Sequence, residues 1–219
     1  MTAARTTTAR SCLLALAAFG LLLSRPAPVE AQVSGSLEGG WYDLSNARNS
    51  TKAVLDGKSG GPLFGASIRL PIGPSFFLSG HGRFMQRTGQ RVFVEAPGKP
   101  VFPLGHPLKL RVVPAYALLG YNIGGGRSSF APYIALGGGV TSYREESDIA
   151  GVKETTSATK PSGHAALGFD YGGGSLRFGL EVSYSLAPNA IGESGVSLVY
   201  GEDDVGGASV VARVTFGSR

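Results

Sequence analysis

Leu176-Arg177-Phe178-Gly179-Leu180-Glu181-Val182-Ser183-Tyr184-Ser185-Leu186 alternates without a break. Large apolar side chains take every even position, and Arg177, Glu181 and Ser183 stand between them. Successive side chains of a strand point to opposite faces, so the stretch predicts a strand with one apolar and one polar face. The segment just upstream repeats the pattern. Residues 164–171 set Ala165, Leu167, Phe169 and Tyr171 against His164, Ala166, Gly168 and Asp170, and three consecutive Gly separate the two strands. That is a hairpin with its turn.

Six further segments complete a set of eight. Residues 33–42 oppose Val33, Leu37 and Trp41 to Ser34, Ser36 and Glu38. Residues 63–72 oppose Phe64, Ile68 and Leu70 to Gly65, Ser67 and Arg69. Residues 76–86 oppose Phe76, Leu78 and Phe84 to Ser79, His81 and Arg83. Residues 108–121 place Leu108, Leu110, Val112, Tyr116 and Leu118 opposite Lys109, Arg111, Ala115 and Ala117, and residues 208–216 place Val210, Ala212, Val214 and Phe216 opposite Ser209, Val211, Arg213 and Thr215. Residues 131–144 are apolar on both faces, so their phase is open. Pro114 lies inside the fourth strand and has no N–H to give, which counts against a regular ladder there; a bulge would absorb it. The spacers alternate between short turns (72–75, 122–130, 172–174) and long connections (43–62, 87–107, 145–163, 187–207).

Composition narrows the class. Charged residues are 16% of the chain against about 25% in an average domain, and 34 of 219 residues are Gly, more than twice the usual ~7%. An interior Gly costs a helix about 1 kcal/mol relative to Ala, which disfavours a helical bundle. Net charge +5, scattered along the chain, does not suggest nucleic acid as a partner. The single Cys cannot pair within the chain.

Residues 1–31 read as a cleaved secretory signal peptide. Arg5 and Arg10 are followed by an apolar run from Cys12 to Leu23 and then by Val29-Glu30-Ala31 before Gln32. The run is shorter than the about 20 residues a membrane helix needs. Residues 32–219 then form one domain without Cys. Eight strands with alternating short and long connections predict an all-β fold: an antiparallel up-and-down transmembrane barrel with short periplasmic turns and four long extracellular loops. Closure gives every strand edge a partner, as lipid requires.

Alternation alone does not say which face points outward, and a soluble lipocalin-like barrel alternates too. The polar face carries both signs of charge, and an eight-stranded interior is just wide enough for side chains. Glu38, Arg69, Arg83, Arg111, Asp170, Arg177, Glu181 and Arg213 are therefore expected to pair in the lumen. Aromatics near strand ends form the expected girdle: Trp41, Tyr133, Tyr143, Tyr171, Tyr184 and Phe216.

Two sequence blocks carry a family resemblance. Ala131-Pro132-Tyr133-Ile134-Ala135-Leu136-Gly137-Gly138-Gly139 resembles the PYxxxGxG strand of the outer-membrane β-barrel domain superfamily. Leu167-Gly168-Phe169-Asp170-Tyr171 and Leu176-Arg177-Phe178-Gly179-Leu180-Glu181-Val182-Ser183-Tyr184 resemble its LGxDY…LxxExxY hairpin. The resemblance spans about residues 32–217 and is to small barrels of the OmpX, OmpA and OmpW types. It implies residence in a bacterial outer membrane, contact with its lipid and lipopolysaccharide, insertion by the barrel-assembly machinery through the C-terminal strand, and a monomer. It implies little about activity, because such barrels differ in role.

No catalytic, metal or cofactor set is expected. His81, His106 and His164 lack ligand spacing. His164, Glu181 and Ser183 fall on neighbouring strands, but no nucleophile elbow accompanies them. Gly124-Gly125-Gly126 and Gly137-Gly138-Gly139 precede no GK[ST]. The acids Asp43, Asp56, Glu145, Glu146, Asp148 and Glu202-Asp203-Asp204 read as solvated loop tips. The expected role is structural or surface-interacting, with a narrow channel for small solutes as the alternative and a lipid-modifying enzyme behind it.

Overall fold

The computed structural model describes residues 33–125, 128–149 and 151–217. The signal-peptide expectation for residues 1–31, including Cys12, lies outside the described residues. Eight antiparallel strands close into one barrel in sequence order: β1 (Ser34–Asp43), β2 (Gly60–Ile72), β3 (Phe76–Val94), β4 (Val101–Asn122), β5 (Phe130–Ile149), β6 (Val152–Gly173), β7 (Leu176–Leu186) and β8 (Gly207–Phe216). β1 pairs with β8 from Gly35 opposite Phe216 to Asp43 opposite Ala208, so no free edge remains in the wall.

Three tight connections mark one end of the barrel, the turn end. The loop end holds the rest. The β1–β2 connection carries a 3-10 turn (Ser45–Ala47) and α1 (Arg48–Val54), and the β7–β8 connection carries α2 (Gly195–Tyr200). Neither helix has a sequence signal, because seven and six residues are too few to show a helical period. Segments 87–107 and 145–163, expected as loops, are mostly strand. β3 and β4 stay paired to Val94 opposite Val101, with one register shift between Gln90 and Val92. β5 and β6 stay paired to Ile149 opposite Val152. The last β2 partner of β3 is Met85, so the sheet runs nine residues further, about 30 Å along the strand. These extensions bury few apolar side chains, Val92 and Val94 among them, and lack the alternation that reveals a strand.

The polarity is inverted relative to a soluble barrel. Leu37, Phe64, Ile68, Leu136, Leu167 and Val182 are 49–68% exposed on the outer wall. Glu38, Arg83, Asp170, Glu181 and Arg213 are 1–6% exposed inside. Soluble monomers rarely expose a contiguous apolar patch beyond a few hundred Å². Among the described residues no helix is long and apolar enough to cross a membrane.

Two expectations fail on strand phase. Leu108, Leu110, Val112, Tyr116 and Leu118 point inward, 0–7% exposed, and the outer face of β4 carries Lys109, Arg111, Val113, Ala115, Ala117, Leu119 and Tyr121. Both faces of β4 are largely apolar, so the bulkier set misleads. On β5, Tyr133 and Tyr143 are 1% and 5% exposed and line the interior, not the girdle. At Pro114 the regular ladder breaks as expected, by a lapse in pairing and not by a bulge. The β3–β4 ladder lapses opposite Arg83 and Phe84 and resumes in the same register, while Pro114 stays paired with Thr141 of β5.

Candidate functional site: the filled lumen and its loop-end vestibule

Each charged residue at the barrel's centre sits at an inward position of a different strand, so strand register fixes which charges meet. Glu38 of β1 accepts from Arg83 Nε at 2.8 Å and lies 3.1 Å from His81 Nδ1. Arg83 reaches across to Glu181 at 2.5 Å. Glu181 also accepts from the Tyr133 hydroxyl at 2.7 Å and from Arg213 Nη1 at 3.2 Å. Arg213 continues to Asp170 at 3.0 Å, and Asp170 accepts from Arg69 Nη1 at 2.7 Å. Three guanidinium groups thus alternate with three carboxylates, and each buried acid is held by at least one guanidinium. Buried charges require this pairing, since an isolated one costs several kcal/mol.

Aromatic rings fill the space beside the charges. The Arg69 guanidinium lies 4.1 Å from the Phe77 ring centroid and 4.7 Å from that of Tyr133, and Arg213 lies 4.6 Å from Tyr133. Phe77 and Tyr133 meet edge to face at 5.7 Å. This packing depends on small residues. A Cβ on Gly179 would stand 2.6 Å from Asp170 Oδ1 and 2.8 Å from Arg213 Nε, and one on Gly120 would strike the Phe77 ring.

Above the charged layer, toward the loop end, the interior turns apolar. Leu63, Met85, Leu108, Leu110, Val112, Tyr143 and Val211 of the wall pack with Leu44, Val54, Leu55, Ala187, Ala190 and Val205 of the two helical connections. Acids expected as solvated tips hold these connections in place. Glu202 accepts from the backbone N–H of Asn49 at 2.9 Å and of Ser50 at 2.8 Å, capping α1 from the opposite connection. Asp204 accepts from the N–H of Ala187 at 2.7 Å and of Gly206 at 2.6 Å. The Tyr184 hydroxyl donates to Asn46.

A cavity of about 210 Å³ opens in this cap, between α1, β3 to β6 and the α2 connection. Its floor is Leu44, Val54, Leu108, Leu110 and Val205. Glu145 lines one wall and accepts from the Tyr143 hydroxyl. Burial raises the Glu145 carboxyl above the ordinary carboxylate range, against the opposing effects of the Tyr143 hydrogen bond and the Arg91 charge. Arg91 pairs with Glu154 at the rim.

The structure brings Glu38, Arg69, Arg83, Asp170, Glu181 and Arg213 into one lumen cluster. Arg177 is also buried on the inner face, 4% exposed. Arg111 is not in the lumen. It lies on the outer wall, 5.7 Å from the Phe84 ring and bonded to Gln86, because β4 has the opposite phase. Of the expected girdle, Trp41, Tyr171, Tyr184 and Phe216 face outward, 46–61% exposed. Phe76, Tyr121 and Phe130, each at a strand end, join Tyr171 and Phe216 at the turn end. The His164–Glu181–Ser183 set is not assembled. His164 stacks on Tyr116 at 4.2 Å with neither ring nitrogen hydrogen-bonded, and Ser183 bonds Ser209 at 2.6 Å. Sequence reasoning missed His81 as a partner of Glu38 and Tyr133 as a partner of Glu181. The signal for Tyr133 was available only once the β5 phase was known. Among the described residues no cluster of His, Cys, Asp and Glu has the arrangement to hold a metal.

No protein-family model matches the chain. No curated protein sequence matches it. Solved structures do. Neisserial surface protein A is similar with a TM-score of 0.50 at 12% identity, over 84% of this chain and 96% of that one. Ail, the attachment invasion locus protein of Yersinia pestis, aligns with a TM-score of 0.46 at 16% identity, over 86% of this chain and 100% of that one. The N-terminal barrel domain of Pseudomonas aeruginosa OprF aligns with a TM-score of 0.46 at 10% identity, over 86% and 99%. The chain has the fold of the small eight-stranded outer-membrane barrels.

Proposed function

We propose that this chain is an outer-membrane barrel of a Gram-negative-type envelope, exported with residues 1–31 as a cleaved signal peptide, whose closed wall carries a protruding sheet for contact with partners at the cell surface. The observation that carries the reading is the inverted polarity: an apolar outer wall around a charge-paired interior. On β3, Phe76 and Phe84 bound that wall eight residues apart, about 20 Å of height at a tilt of about 40°. The turn end then faces the periplasm. The extended β3–β6 sheet stands outside, and its tip exposes Phe93, Phe102, Leu104 and Val152. β6 pairs only with β5 above Gly163, so its far edge offers unpaired backbone groups to an added strand.

Lipid contact has a second support. Arg111 and Arg144 stand directly opposite each other on the outer faces of β4 and β5, just above the apolar band. Like charges so placed repel, and the 2.7 Å ion pair of Arg144 with Glu146 relieves only one of the two. Phosphates of lipopolysaccharide at that depth offset the repulsion. Insertion by the assembly machinery through β8, and a monomeric state, complete the proposal.

Gel mobility of the outer-membrane fraction, boiled and unboiled, tests it. A mobility shift of a detergent-extracted band is expected. Recovery in the soluble periplasmic fraction, with no shift, would overturn it.

A further inference from the structure

The loop-end cavity is used by neither the barrel's closure nor its proposed surface contacts. It combines three features. Its floor is apolar and belongs to the packed cap. Its wall carries the Glu145 carboxyl, half-buried and bonded on one side to the Tyr143 hydroxyl. The Ser147 hydroxyl, only 7% exposed and part of the lining, has no hydrogen-bond partner. An orphaned buried hydroxyl beside a desolvated carboxyl is a costly arrangement when nothing occupies the space between.

Charge fixes the sign of the occupant. The lining contains Glu145 and Glu154 against Arg91 alone, and Arg91 is already paired with Glu154 at the rim. The linings from α1, β4 and the α2 connection are uncharged. Glu145 is the acid left over. At about 210 Å³ the cavity is below the about 300–1,000 Å³ of drug-sized sites. We propose that the cavity binds a small organic ammonium ion with a compact apolar body, its N–H groups donated to Glu145 and Ser147 and its apolar part seated on Leu44, Val54, Leu108, Leu110 and Val205. The ammonium replaces the water that burial takes from the carboxylate. Binding therefore favours the ionised form of Glu145 and strengthens as pH rises through that group's raised pKa, with Arg91, Glu154 and Tyr143 the other titratable groups of the cavity and Lys160 and Glu193 facing Glu145 from its other side.

Three probes of one shape and different charge test this: phenethylamine, 2-phenylethanol and 3-phenylpropionate. Each is titrated calorimetrically into the full barrel in zwitterionic micelles. Wild type is compared with Glu145→Gln and with Val196→Trp, which fills the cavity from its loop wall, after a mobility-shift check that each variant is folded. Phenethylamine is expected to bind wild type about tenfold or more tighter than Glu145→Gln, a charge-assisted hydrogen bond's effect. 3-Phenylpropionate is expected not to bind, and Val196→Trp is expected to lose the binding of phenethylamine and 2-phenylethanol. Equal heats for wild type and both variants would mean partition into micelles only and would overturn the proposal. So would a preference for the anion. A wild-type affinity flat between about pH 4 and 8 would overturn the assignment of Glu145 as the cation's partner.

Discussion

At the residue scale, the lumen is governed by which charges lose their partners. Arg83 serves Glu38 and Glu181 at once. Arg83→Leu strands two buried carboxylates and is expected to destabilise the barrel by about 3–5 kcal/mol in urea unfolding from bilayers. Adding Glu38→Gln and Glu181→Gln should restore part of that loss. A triple variant less stable than Arg83→Leu alone would mean that the pairing is not what Arg83 provides. Gly179→Ala is expected to cost about 1–3 kcal/mol in the same assay, because the added methyl meets Asp170 and Arg213. Glu145 behaves oppositely to a paired acid. Its folded pKa is raised, so the folded barrel holds its proton to higher pH than the unfolded chain does. Stability therefore falls as pH rises from the ordinary carboxylate pKa through the raised one, and levels off above it once the contribution of this group is gone. Glu145→Gln should flatten that slope, seen as hydrogen exchange at the loop end across the acidic range. The lumen charges on β1, β2, β3, β6, β7 and β8 were legible because a charged residue inside a clean alternation declares its face. Arg111 was not, because on β4 the alternative face is apolar as well.

At the element scale, eight strands were legible and their upper ends were not. Within the wall, lipid-facing and inward residues differ in polarity, so period two is visible. Beyond Met85 and Leu108 both faces of the sheet are polar or mixed, and segment 87–107 reads as loop although it is paired almost to its tip. The phase of β5 stayed open for a related reason: its lower half is Gly and apolar on both sides, and only pairing with β4 and β6 settles that Tyr133 points inward. The two short helices depend on contacts distant in sequence. α1 is capped by Glu202, about 150 residues away, through the N–H groups of Asn49 and Ser50. Glu202→Ala leaves those donors without an acceptor and is expected to loosen α1 by about 0.5–2 kcal/mol. Limited proteolysis of the β1–β2 connection should accelerate while the wall remains resistant. Unchanged cleavage would show that the apolar contacts of Val54 and Leu55 hold α1 without the cap.

At the scale of the whole molecule, the inversion of polarity and the filling of the lumen have one cause. An eight-stranded wall must turn its apolar side outward to lie in lipid, and its polar side then faces an interior too narrow for bulk water. Charges placed there pair with each other or go unsatisfied. The resulting layer of Arg83, Glu181, Arg213, Asp170 and Tyr133 spans the bore. A second layer stands above it, where Met85, Val112 and Val211, each at most 1% exposed, pack beneath the helical cap. An ion moving along the axis would have to separate guanidinium from carboxylate and then cross a dry apolar plug. The two barriers act in series, so removing either one leaves the other. Planar-bilayer recordings of the wild type are expected to show no steady unitary steps, and Arg83→Ala combined with Arg213→Ala should stay equally silent because the plug is untouched. Steady conductance in the wild type would mean that the cap opens in a membrane, and the solute-channel reading would then replace the closed barrel.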